Sequence, residues 1–143
     1  MADPEALAEM LAERECAKLV GKYARLADGN DVDGFVALFT PGAVWGRADG
    51  TAIEGREAIR NAYASRPRRG ASRHQLLGVS VEFLGAGRAE GVSTALVVKS
   101  DGSKSKQVHI LSYVDRFEQS DDGRWLIAAR SSELLATHTM VES

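Results

Sequence analysis

The stretch HQLLGVSVEFLGAGRAEGVSTALVVKS, residues 74–100, is two runs of alternating β-branched and polar side chains around a GAG break at Gly85, Ala86 and Gly87. Alternation with a period of two describes a half-buried strand, and a short glycine-rich break between two such runs describes a hairpin turn. The pattern continues downstream, where SDGS at 100–103 and SDDG at 120–123 separate further runs, so the spacing predicts four strands over 74–84, 88–99, 106–117 and 124–135. Connectors this short join antiparallel neighbours.

Upstream the period changes from two to that of a helix. Leu7, Met10, Leu11, Leu19, Val20, Tyr23 and Leu26 gather on one side of a helix over about 3–28, opened by Asp3, Pro4 and Glu5 and closed by Asp28, Gly29 and Asn30. DVDGFVALF at 31–39 predicts a second, short helix with Val32, Phe35, Val36 and Phe39 inward. Pro41 and Gly42 then turn the chain into a short strand ending at Trp45, and a polar loop with Asp49 and Gly50 runs on to Ile53. Ile59, Ala62 and Tyr63 mark a third helix over 55–66, before the connector RPRRGASR at 66–73. Helices segregated ahead of a meandering sheet make an α+β arrangement.

The 143 residues, 44% hydrophobic and 27% charged, fit one domain over 1–143 with a real core, and neither disorder nor a disulfide scaffold. A net charge of −2 gives no field favouring nucleic acid or an anionic membrane surface. There is no apolar run of the roughly 18–20 residues that cross a bilayer, and Met1 to Glu15 lack a signal peptide's basic-then-apolar order, so the expectation is a cytoplasmic protein without nucleic-acid or membrane partners. Cys16, the only cysteine, reads as a small core residue.

Two features of the strands bear on function. On the second strand Ala89, Gly91, Ser93, Ala95 and Val97 share a face of small side chains, which leaves either an internal void or space filled by large residues from the first helix. On the third, Gln107, His109, Leu111, Tyr113, Asp115 and Phe117 share one face, while Val108, Ile110 and Val114 make the other face apolar too. An apolar outer face predicts a homodimer formed through it.

Tyr23, Asp28, DVDGFVALF with Thr40 to Trp45 after it, GREAIRNAY at 55–63, RHQLLGVSVEF at 73–83 and SYVDRFEQSDDGRWLIAAR at 112–130 together resemble the nuclear transport factor 2 superfamily over nearly the entire chain. The resemblance is to its SnoaL-like branch, with polyketide cyclases, scytalone dehydratase and hexachlorocyclohexane dehydrochlorinase, and more distantly to ketosteroid isomerase. It implies a cone: a long helix and two shorter ones closing over a strongly curved, mostly antiparallel mixed sheet, with a ligand pocket inside and dimerisation through the open sheet face.

The resemblance also implies site residues. Asp28 and His74 match the aspartate that orients a histidine base in the dehydratase and the dehydrochlorinase. A carboxylate accepting one imidazole N–H fixes the tautomer and leaves the other nitrogen to take a proton. The bland alternative is a capping aspartate and an ordinary strand-end histidine. His74 also has the wrong parity for the face of Leu77, Val79, Val81 and Phe83, so a bulge near 76–78 is required to turn it inward. Asp115 and Tyr23 match the oxyanion donors of ketosteroid isomerases, but Gly46 stands where that family keeps its base, and Asp115 has the alternative of a salt bridge with Arg130. Tyr23, Trp45, His109, Tyr113 and Asp115 are therefore the candidate substrate-binding residues, while His138 falls in the tail. The Arg66, Arg68, Arg69 and Arg73 cluster is either a guide for an anionic substrate or a solvated loop. Neither a metal-ligand cluster nor a phosphate loop is evident, so no cofactor is expected.

These observations point to a lyase or isomerase abstracting a proton from a small hydrophobic, aromatic or polyketide-like molecule. The alternatives are a binding or assembly module of the same fold, and an accessory subunit resembling the β-subunit of ring-hydroxylating dioxygenases.

Overall fold

The computed structural model describes residues 3–67 and 70–143. Helix α1 (Pro4–Ala27) starts where Asp3 accepts a hydrogen bond from the Glu5 N–H at 3.1 Å, with a proline in its first turn, where no backbone donor is needed. Its buried face is Ala12, Cys16, Leu19, Val20, Tyr23 and Ala24. Leu7, Met10 and Leu11, expected inward, are exposed, Met10 at 66%, since burial of α1 begins only at Ala12.

Helix α2 (Val32–Val36) is capped by Asp31, whose carboxylate accepts the Gly34 N–H at 2.9 Å. It is shorter than the expected 31–39, since Leu38 already accepts a bond from Ile127 N–H at 2.8 Å and Phe39 opens strand β1 (Phe39–Gly46). Phe39 is nonetheless fully buried. Strand β2 (Ala52–Glu54) and helix α3 (Arg56–Ser65) follow, then β3 (Ala71–Gly85), β4 (Arg88–Ser100), β5 (Ser105–Gln119) and β6 (Trp125–Val141).

The six strands form one open sheet in the order β2-β1-β6-β5-β4-β3, antiparallel except where β1 runs parallel to β6. The tight β3–β4 turn passes through three successive left-handed residues, Gly85, Ala86 and Gly87, so glycine flanks the one position that carries a side chain. Strand β6 extends six residues beyond the expected end at 135, because residues up to Val141 still find partners on β5; His138, expected in a tail, pairs with Val108 inside the sheet. Among the described residues no helix is long and apolar enough to cross a membrane.

A bulge in β3 decides what the sheet presents to the helices. Leu76 pairs with Ala95 and Gly78 with Thr94, which leaves Leu77 out of register and 57% exposed. Ser72, His74 and Leu76 face the helices before it, and Val79, Val81 and Phe83 after it. Leu77 therefore leaves the apolar face expected of it.

The small-residue face of β4 is filled at one end by the neighbouring strand β5, not by the first helix as expected, and borders an open space at the other. Phe117 fills the space over Gly91, where a Cβ would lie 2.9 Å from the Phe117 ring. At the other end of the strand Lys99 lines an open pocket of about 570 Å³. The core between these ends is aromatic, with Phe35 stacked on Tyr63 at 4.1 Å and packed against Tyr23, Phe39 and Trp45.

Candidate active site

Asp28 occupies the C-cap of α1, where the partial negative charge of the helix terminus disfavours a carboxylate. Strand β3 supplies the donors that offset this. The His74 backbone N–H donates to Oδ2 at 2.7 Å, the Ser72 hydroxyl to Oδ1 at 3.3 Å, and the His74 ring meets Oδ1 through Nδ1 at 2.6 Å. An ionised carboxylate only accepts, so Nδ1 is the nitrogen that donates to it, and in the neutral imidazole Nε2 is then the one with the lone pair. Both side chains are largely buried yet line the pocket. The bulge at Leu77 is what turns this histidine inward.

The facing wall is built by α1, β1 and β5. Tyr23 Oη accepts a hydrogen bond from the Trp45 indole N–H at 2.9 Å, which leaves its own proton to donate. Tyr113 is packed edge-on against Tyr23, with centroids 6.0 Å apart. Burial, together with the neighbouring Tyr23, pushes the Tyr113 phenol well above its ordinary pKa, so it is a neutral donor at physiological pH. Tyr23, Trp45, Tyr113, Asp28 and His74 all line one pocket, along with Phe35, Tyr63, Leu111 and Ser132.

Asp115 and His109 are placed differently. Asp115 is fully buried and held by Arg130 in a two-pronged ion pair, Oδ1 to Nε and Oδ2 to Nη2, both 2.7 Å. Both carboxylate oxygens are engaged and neither borders the pocket, so the salt-bridge reading replaces the substrate contact expected of Asp115. His109 shares the inner face of β5 but lies outside the pocket wall, its Nδ1 2.9 Å from Thr137 Oγ1. Partial burial and the nearby Lys99 lower its pKa.

Arg66 and Arg73 are placed differently. Arg66 lines the pocket but spends Nη2 on the carbonyls of Ala27 and Gly29, and its guanidinium stacks 3.5 Å from the centre of the Tyr63 ring. Arg73 bonds the Ser72 carbonyl at 2.8 Å, and Arg68 and Arg69 lie outside the described residues. Among the described residues no group of three or more His, Cys, Asp or Glu side chains is placed to hold a metal ion.

A family model for the SnoaL-like domain matches residues 8–131. The chain belongs to the SnoaL-like family. No curated protein matches its sequence. Among solved structures it is similar to a type 2 hexachlorocyclohexane dehydrochlorinase (LinA), at 14% identity over 91% of this chain and 89% of that one, with a TM-score of 0.80. It is also similar to a scytalone dehydratase-like protein from Novosphingobium aromaticivorans, at 18% identity over 91% and 88% of the two chains, with a TM-score of 0.75. A nuclear transport factor 2-like protein with a cystatin-like fold, also from Novosphingobium aromaticivorans, matches at 21% identity over 94% and 92%, with a TM-score of 0.78. At these identities the likeness is one of fold.

Within the SnoaL-like fold, the position of Gly46 has a steric explanation. A Cβ there would stand 2.8 Å from the Arg130 carbonyl oxygen and 3.2 Å from Ser131 Cα, so any side chain at this position requires the backbone of β6 to shift. Sequence reasoning missed Ser72, Leu111 and Ser132 as wall residues. Ser72 and His74 have the same parity, so the bulge that the histidine required already implied the serine; Ser132 had no comparable signal.

Proposed function

We propose that this SnoaL-like protein is a cofactor-independent lyase or isomerase in which His74, oriented by Asp28, is the base. The observation that carries the reading is the 2.6 Å contact between His74 Nδ1 and Asp28 Oδ1 in the wall of the pocket. Nε2 removes a proton from a carbon next to a carbonyl or other activating group, and Asp28 supports the imidazolium that forms. In an elimination the C–H electron pair becomes the new double bond while a hydroxide or halide leaves from the adjacent carbon with its bonding pair. In an isomerisation the proton returns to a different carbon. The hydroxyls of Tyr23 and Tyr113 donate to the oxygen on which charge develops. The aromatic wall of Tyr23, Phe35, Trp45 and Tyr63, in a pocket of about 570 Å³, suits a small hydrophobic, aromatic or polyketide-like substrate. We further propose that two copies pair through the outer sheet face.

The test is turnover of a panel of β-hydroxy ketones, hydroxylated aromatic polyketides and hexachlorocyclohexanes, read by mass spectrometry as loss of water or hydrogen chloride and as deuterium uptake from heavy water. His74→Ala is expected to lower turnover by about 10²–10⁴-fold with the circular dichroism spectrum unchanged. Equal turnover in the variant rejects the assignment. A wild-type protein that converts no member of the panel, yet retains a small molecule in native mass spectra, favours a binding module instead.

A further inference from the structure

Among the described residues Arg130 is the largest fully buried side chain, and its charge is far more elaborately housed than a strand-to-strand salt bridge requires. Its Cζ lies 4.0 Å from the Tyr23 ring centroid and 4.1 Å from that of Tyr113, so the guanidinium fills the corner between the two edge-on rings. Asp115 takes Nε and Nη2 from the side away from the pocket, and Nη1 is buried with no hydrogen-bond partner. Replacing a buried ion pair with apolar residues of similar volume is often neutral or stabilising, so stability alone gives little reason for this arrangement.

We infer that Arg130 is a positioning residue: seated behind the pocket wall and locked by Asp115, it fixes the rings of Tyr23 and Tyr113 and places positive charge against them, strengthening both hydroxyls as hydrogen-bond donors toward the pocket. A cation against the face of a phenol ring is attracted by the ring and favours negative charge on its oxygen. The titratable groups around Tyr113 are Tyr23, Arg130, Asp115 and Asp28, and of these only Arg130 favours the ionised phenol, more strongly than Asp115 opposes it. Arg130 itself stays charged: burial acts against its charge, but the hydrogen bonds and charge of Asp115 outweigh it and hold its pKa above the ordinary value. A donor that carries more of the developing charge suits a substrate with an acceptor oxygen at the reacting end. The functional meaning rests on the proton-abstraction reading of the pocket, whereas the effect on the tyrosines is measurable without any substrate.

The experiment places difluorotyrosine at position 113, which brings the phenol into a measurable range, and follows its ionisation by fluorine NMR. Three backgrounds are compared: wild type, Arg130→Lys, and Asp115→Leu/Arg130→Met, which removes both charges together. An opposite charge within roughly 4–6 Å shifts a pKa by about one to three units. The double variant removes both influences, of which that of Arg130 is the larger, so it is expected to titrate above wild type by the surplus of the one over the other, with Arg130→Lys between them, because lysine keeps the charge but not the flat fork that stacks on the rings. If Arg130 only ties β5 to β6, the phenol titrates identically in all three, and the inference is overturned. Should the double variant not fold, Arg130→Lys decides against wild type: a raised titration supports the inference and an unchanged one overturns it. Loss of the inference leaves His74 as base untouched, and failure of His74→Ala to lower turnover leaves this titration intact.

Discussion

At the scale of single residues, two aspartate-centred pairs of similar chemistry are separated by what surrounds them. Asp115–Arg130 is sealed off from solvent and from the pocket, whereas Asp28–His74 is buried on one side and opens into the pocket on the other. Only the second leaves a proton acceptor facing a space a ligand can enter. Cys16 makes the complementary case of a reactive group disarmed by position. Desolvation by burial, with the charge of Glu15 adding to it, pushes the thiol up to about 12. The thiolate is the nucleophile, so Cys16 is expected not to react with a thiol-specific disulfide reagent at pH 8 in the native protein, and to react as one thiol per chain in guanidinium chloride. Rapid native labelling would contradict the packing of α1 described above. The same shift sets a stability trend. Above the ordinary thiol pKa of 9.0 the unfolded chain loses this proton while the folded chain keeps it until about 12. The stabilising contribution is therefore fully present below pH 9 and is lost as pH rises from there toward 12.

At the scale of elements, the bulge in β3 links sequence to site. Val79, Val81 and Phe83 are anchored against α1 and the core, so the parity of the strand's first half depends on the extra residue at Leu77. Deleting Leu77 brings His74 from five residues before Val79 to four, so strict alternation then places Ser72, His74, Leu76 and Val79 on one face and Asp28 keeps its partner without a bulge. The deletion variant is expected to fold, to keep the hydrogen-bonded His74 imidazole proton in its NMR spectrum, and to match the wild-type protein rather than His74→Ala in activity. Loss of that proton signal would show that the first half of β3 shifts register when the bulge is removed. This strand also measures how much was legible beforehand. The hairpins, the helix order and the α+β class follow from local periodicity and turn chemistry, and even the need for a bulge follows from the conflict between His74 and Val79. The shortening of α2 at Phe39 and the extension of β6 through His138 were hidden, because both depend on a partner strand distant in sequence: β6 recruits Phe39, and β5 holds residues up to Val141. The placement of Asp115 was legible as two alternatives, and only packing around Arg130 separates them.

At the scale of the whole molecule, the sheet has one face closed by helices and the other open. The outer face carries Val92, Leu96 and Val98 on β4 beside Val114, Ile110 and Val108 on β5, paired across the strands in that order, with Val92 and Val114 each 54% exposed. Contiguous apolar surface of this kind on a twisted sheet is a candidate contact between copies, and a two-fold arrangement sets the same residues against each other. Val92 and Val114 form a directly opposed pair, so a charge at either would be buried without a partner in such an interface while remaining solvated in a lone chain. Sedimentation equilibrium is expected to give twice the 15.4 kDa chain mass for the wild-type protein. Val114→Asp is expected to give the chain mass itself, with an unchanged circular dichroism spectrum. The pocket opens on the opposite face of the sheet, so the dissociated variant should retain binding and any turnover, reduced only as far as the sheet loosens. A wild-type protein that sediments as a single chain, or a Val114→Asp variant that still sediments as a pair, would mean that this face is not where copies meet.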